Sequence, residues 1–150
     1  MNLDTSEDVL DFAISREQKA SSFYRELAGR MQNPAVRDVF LDFSLQETQH
    51  KAKLVAIKNG GGLMLSKQNV SDLKIGDNLA DPELNEGMTY QEALVVAIKA
   101  EQTAIALYDS LAAATGDPGL RELFESLALE ESKHKLHFET EYDDVILTEN

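Results

Sequence analysis

Apolar residues recur at alternating three- and four-residue steps in four segments of the chain, the spacing that lines one face of an α-helix. The stripes read Leu10, Ala13, Glu17, Ala20, Tyr24, Leu27, Met31; then Val36, Phe40, Phe43, Glu47, His50, Leu54, Ile57; then Leu94, Ala97, Glu101, Ala104, Tyr108, Leu111; and finally Leu120, Phe124, Leu127, Glu131, His134, Phe138. Cap chemistry bounds each one. Thr5 or Ser6 precedes the acidic Glu7 and Asp8, Asn33-Pro34 and Asp117-Pro118 pair a cap with a proline at the first helical position, Thr89 to Glu92 has capping-box spacing, and Gly60 to Gly62 form a stop. These signals predict helices over about residues 6–31, 34–59, 89–115 and 118–140.

The connections dictate the topology. Only a few residues join the first two helices and the last two, so each pair is expected to be an antiparallel hairpin. Residues 60–88, with the turn-rich string DNLADPELNEG, are too many for a tight loop and enough to cross the length of a bundle. The expectation is a single all-α domain over residues 1–150, a four-helix bundle of two antiparallel hairpins joined by a long crossover. That connection also permits exchange of hairpins between protomers, so a homodimer or larger homo-oligomer is compatible with the pattern.

The hairpins resemble each other at a fixed offset of 84 residues. Glu17, Ala20, Tyr24, Leu27 and Ala28 match Glu101, Ala104, Tyr108, Leu111 and Ala112; Pro34, Arg37, Phe40, Glu47 and His50 match Pro118, Arg121, Phe124, Glu131 and His134. Such a repeat implies two similar halves about a pseudo-two-fold axis.

Four glutamates and two histidines therefore occupy positions where a core is expected. Glu17 lies 16 residues before Asn33 and Glu47 lies 14 after it, and Glu101 and Glu131 stand in the same relation to Asp117. At 1.5 Å rise per residue the partners differ by about 3 Å in height, so all six side chains converge near mid-bundle. Four carboxylates at one buried level are costly through desolvation and mutual repulsion. A pair of divalent cations removes that cost, and Glu-x-x-His puts a carboxylate and an imidazole on one helical face for the same metal. Glu17, Glu47, His50, Glu101, Glu131 and His134 are the expected ligands. Tyr24 and Tyr108, two turns beyond Glu17 and Glu101, are either core aromatics or hydrogen-bond donors to the ligand carboxylates. His137 lacks the motif, and Arg37 and Arg121 read as surface pairs.

Composition narrows the chemistry. With 27 acidic against 14 basic residues the formal charge is −13, which disfavours nucleic acid and anionic membrane surfaces and favours cations. The absence of cysteine excludes disulfides, thiolate nucleophiles, zinc ribbons and iron-sulfur clusters within this chain. No leader-like start and no long apolar run is present, so a soluble, cytoplasmic protein is expected.

The motifs Glu17 with Phe23-Tyr24, Glu47-x-x-His50, Glu101 with Tyr108, and Glu131-x-x-His134 resemble the di-iron domain of the rubrerythrin family, within the ferritin-like superfamily. The resemblance spans about residues 5 to 140 and implies a ferritin-like bundle, a carboxylate-bridged centre of two iron ions, and oxidation chemistry with hydrogen peroxide or dioxygen. Manganese and zinc suit the same donor set. Rubrerythrins proper carry a cysteine-ligated rubredoxin domain; without cysteine, this chain is expected to take electrons from a separate donor protein. They also use an extra glutamate one turn after the third-helix ligand, where Ala104 stands here, so the implied ligand set is the symmetric six, closer to that of bacterioferritin. The resemblance implies bridging roles for Glu47 and Glu131, terminal roles for Glu17 and Glu101, and one histidine per metal. A peroxidase or oxidase is the leading expectation, with an iron-binding ferroxidase for storage or delivery as the alternative.

Overall fold

The computed structural model describes residues 5–73 and 82–149. Four long helices are present: α1 (Ser6–Arg30), α2 (Pro34–Gly60), α4 (Tyr90–Ala114) and α5 (Pro118–Glu149), with a short α3 (Lys67–Asp72) between α2 and α4. The expected caps operate. Thr5 accepts from Asp8 N, Asn33 from Ala35 N and Thr89 from Glu92 N, and Asp117 Oδ1 accepts from the backbone N–H groups of Gly119 and Leu120. Gly61 ends α2 at φ 65°, a left-handed conformation that glycine adopts without steric cost.

α1 packs along α2 and α4 along α5, as two hairpins. Their turns lie at opposite ends of the bundle, because the start of α1 shares an apolar cluster with the end of α4, and the end of α1 shares another with the start of α4. The crossover must therefore run the full length of the bundle. It is less featureless than its composition suggests: Leu63 and Val70 are buried in the cluster at the first end, and Leu84 and Met88 pack against the second. Residues 74–81 of the expected crossover lie outside the described residues.

Two further points refine the sequence reading. α5 runs on to Glu149 instead of stopping near Thr140, since Tyr142 and Val145 continue the stripe of Phe138 onto the second cluster and Tyr90 Oη donates to Glu141 at 3.1 Å. Arg37 and Arg121 are exposed, as expected, but among the described residues their partners are backbone carbonyls and not acidic side chains. Each reaches back across its hairpin turn to carbonyl groups at the end of the preceding helix, Arg37 to Met31 and Arg121 to Ala112 and Thr115.

One buried contact is peculiar to the first hairpin. Ser21 Oγ donates to the Ser44 carbonyl at 3.0 Å and Ser44 Oγ to the Ser21 carbonyl at 2.8 Å, pinning α1 against α2. Among the described residues no helix is long and apolar enough to cross a membrane.

Candidate metal centre

The two apolar clusters are separated by a polar layer at mid-bundle. Glu17, Glu47, Glu101 and Glu131 are each at most 2% exposed, and His50 and His134 are equally deep. α1 and α4 each deliver one glutamate to this layer, and α2 and α5 each deliver a glutamate and, one turn later, a histidine. All six residues expected from the helical spacing thus meet at one level.

They form two overlapping groups able to hold a metal ion, Glu17, Glu47, His50 and Glu131 on one side and Glu47, Glu101, Glu131 and His134 on the other, with donor atoms in each within 4.8 Å of one another. Glu47 and Glu131 belong to both. Nδ1 of His50 lies 2.7 Å from Glu131 Oε1 and 3.6 Å from Glu17 Oε2, and Nδ1 of His134 lies 3.1 Å from Glu47 Oε1 and 3.8 Å from Glu101 Oε1. Of the inward carboxylates, each Nδ1 is nearest the shared one of the opposite hairpin.

The fit to metal is visible in what these atoms lack. Glu17 Oε2, Glu47 Oε1, Glu101 Oε2, Glu131 Oε1 and Nδ1 of both histidines are buried with no hydrogen-bond partner among the described residues. Even the 2.7 Å approach of His50 to Glu131 lacks hydrogen-bond alignment. Six inward donor atoms without partners would be a heavy burden on a metal-free bundle, and they are oxygen and imidazole nitrogen donors of the kind that iron, manganese and zinc accept.

Without metal, protons must offset the charge. Burial drives the carboxyls of Glu47 and Glu131 well above the usual range, and neighbouring carboxylates add to it. Burial pushes Glu17 the same way, but the neighbouring His50 and Glu47 side chains prevail and hold it below the usual value. Burial opposes the charging of His50, yet Glu131 and Glu17 carry it to about 11.

The tyrosines act across the halves. Tyr24 Oη donates to Glu101 Oε1 and Tyr108 Oη to Glu17 Oε1. A helical side chain leans toward its own N-terminus, so a tyrosine two turns past one glutamate reaches back to the mid-bundle layer and meets the glutamate of the antiparallel neighbour. Burial and then the adjacent carboxylates hold both phenols well above their ordinary value, so both remain donors. Beside the carboxylates, between α1 and α4, a cavity of about 20 Å³ is lined by Ala104, Tyr108 and Pro82, room for a water-sized molecule.

Two residues in contact with the candidate site were not expected from the sequence. Nε2 of His50 pairs with Glu130 Oε2, and Nε2 of His134 with Gln46 Oε1 at 2.8 Å. Both partners directly precede a ligand glutamate on the facing helix, off the apolar stripe, and their match at the 84-residue offset is the signal that could have found them. His137 contacts the rings of Phe43 and Phe138 and belongs to neither metal group.

The rubrerythrin family model matches residues 8–142. Among solved structures, a Thermotoga maritima protein described as ferritin-like and diiron-carboxylate is similar at 19% identity, covering 94% of this chain and 96% of its own, with a TM-score of 0.73. A manganese catalase from Anabaena is similar at 18% identity, covering 97% of this chain and 75% of its own, with a TM-score of 0.67. At these identities the likeness is one of fold. No curated protein matches the sequence.

Proposed function

We propose that this chain, which belongs to the rubrerythrin family, holds two iron ions and reduces hydrogen peroxide or dioxygen with electrons from a separate donor protein in the cytoplasm. The observation that carries the reading is the pair of overlapping donor groups sharing Glu47 and Glu131, with their inward atoms left unpartnered. Glu47 and Glu131 would bridge the metals, Glu17 and Glu101 would each hold one from the side, and His50 and His134 would each complete one position.

A pair of redox-active ions held by these residues would supply the two electrons needed to reduce an O–O bond. The chain does the rest. Tyr24 and Tyr108 fix the orientation of Glu101 and Glu17 and block one lone pair on each. The apolar clusters on either side keep bulk water from the layer. The small cavity beside Ala104 leaves room for a water-sized molecule next to the carboxylates.

The test is anaerobic ferrous loading followed by peroxide or dioxygen in stopped flow. Oxidation much faster than for free iron, and faster with peroxide, is the expected result; a rate no faster than free iron refutes it. Ala104, at the position of the additional glutamate, favours one second reading, a symmetric ferroxidase for iron storage or delivery. Preference for dioxygen over peroxide, with iron retained in a large assembly on sedimentation, would select that reading.

A further inference from the structure

The six ligands obey the 84-residue repeat, but the residues behind the two imidazoles break it. Gln46 and Glu130 occupy equivalent positions, each directly before the shared glutamate of its helix. Across the contact between α2 and α5, Glu130 accepts from His50 and Gln46 accepts from His134. In both cases the outer nitrogen is held as an N–H donor, which leaves Nδ1 as the nitrogen that faces the metal layer and that a metal would take in place of any proton there. The acceptors differ in kind: one is a carboxylate and the other a neutral carboxamide. A hydrogen bond to an ionised acceptor is roughly twice as strong as a neutral one, draws the proton outward, and makes the inner nitrogen the better donor. Although the Glu130 side chain is 40% exposed, the imidazole it meets is 1% exposed, so the bond itself is sheltered at the histidine end.

We propose that Glu130 and Gln46 are positioning residues that make the two metal positions unequal. The position built from Glu17, Glu47, Glu131 and His50 binds a divalent cation more tightly and fills first; the position completed by Glu101 and His134 fills second. The inference rests on the two-metal reading above. It adds an order of loading and assigns it to a pair of side chains that touch no metal. An inequality of this kind gives a centre that loads stepwise and has distinct one-metal and two-metal states.

The test is anaerobic titration of the metal-free full chain with cobalt(II) alone, followed by visible absorption. Two steps are expected. Glu130→Gln weakens the first and narrows their separation by roughly 10- to 100-fold. Gln46→Glu strengthens the second and narrows the separation from the other side. The exchanged double variant, Gln46→Glu with Glu130→Gln, restores two separated steps, a recovery that a merely structural role for Glu130 does not produce. If Glu130→Gln fails to fold, Gln46→Glu and the exchanged variant carry the test. A separation unchanged in Gln46→Glu, or an exchanged variant with merged steps, overturns the proposal. Failure of the unmodified chain to bind cobalt would instead remove the two-metal reading itself.

Discussion

Replacing Glu47 by glutamine should make the metal-free protein more stable while depriving it of its metals. Glu47 is 1% exposed, its Oε1 has no hydrogen-bond partner among the described residues, and burial together with Glu17 and Glu101 opposes its ionisation. The amide keeps the shape, removes one acid from the layer, and offers N–H donors to the carboxylates around it. Relieving an ill-satisfied buried group of this kind is worth about 1–3 kcal/mol. For a chain of this length each kcal/mol moves Tm by about 2–4 °C, so the gain is several degrees. Metal works in the opposite sense. At a hundredfold excess over Kd each bound ion stabilises the native state by about 2.7 kcal/mol, so a pair raises Tm by roughly 10–20 °C. Because Glu47 serves both donor groups, most of that increment disappears in the variant. The assay is far-ultraviolet circular dichroism melting at neutral pH, once with chelator and once with anaerobic ferrous ion. The reasoning is refuted if Glu47→Gln melts below its parent with chelator and keeps the full metal-induced rise.

Tyr24→Phe and Tyr108→Phe each remove a buried donor from a ligand glutamate and should cost about 1.5–3 kcal/mol in denaturant unfolding with chelator, with faster metal loss to a colorimetric chelator. Metal-free stability should fall as pH rises. The native state keeps a proton on His50 up to about 11 that the unfolded chain loses near 6.5, so this contribution is complete below 6.5 and is lost between the two, and the raised Glu47 and Glu131 lose theirs above the ordinary 4.5. A urea midpoint that climbs with pH above neutrality would contradict this. For the same reason metal uptake at neutral pH should release protons, measurable by calorimetry in buffers of different ionisation enthalpy. Gly61→Ala should cost about 1 kcal/mol, read from the same melts, because φ is 65° and no neighbouring atom crowds the new methyl group.

The helices, their hairpin pairing and the convergence of six donor residues at mid-bundle were legible in the sequence because each is a local or periodic signal: a cap, a proline, a three-four step, a fixed offset. The end of α5 was missed although Phe138, Tyr142 and Val145 keep the period, since the density of acidic residues after Glu139 masks it. α3 is six residues long and owes its place to burial of Val70 on the end of the bundle, a tertiary effect that a periodicity cannot display in so short a segment. Gln46 and Glu130 stand off the apolar stripe and become visible only when α2 and α5 are set side by side. The guanidinium groups of Arg37 and Arg121 serve carbonyls across a turn, and neither composition nor spacing separates that role from a surface ion pair.

Each hairpin supplies two glutamates and one histidine to the polar layer, and each candidate metal group takes its fourth residue from the other half. That is the stoichiometry of a homodimer. A single ancestral hairpin, paired with its own copy on a two-fold axis, would present the same six donors, and duplication with fusion through the crossover would yield the present chain. The present halves are not identical. Ser21 and Ser44 face each other in the first hairpin where Ile105 and Ala128 stand in the second, and Gln46 has Glu130 for its counterpart. The six donor residues are the same in both halves while their surroundings differ, so the two candidate metal positions are distinguished by the side chains behind them.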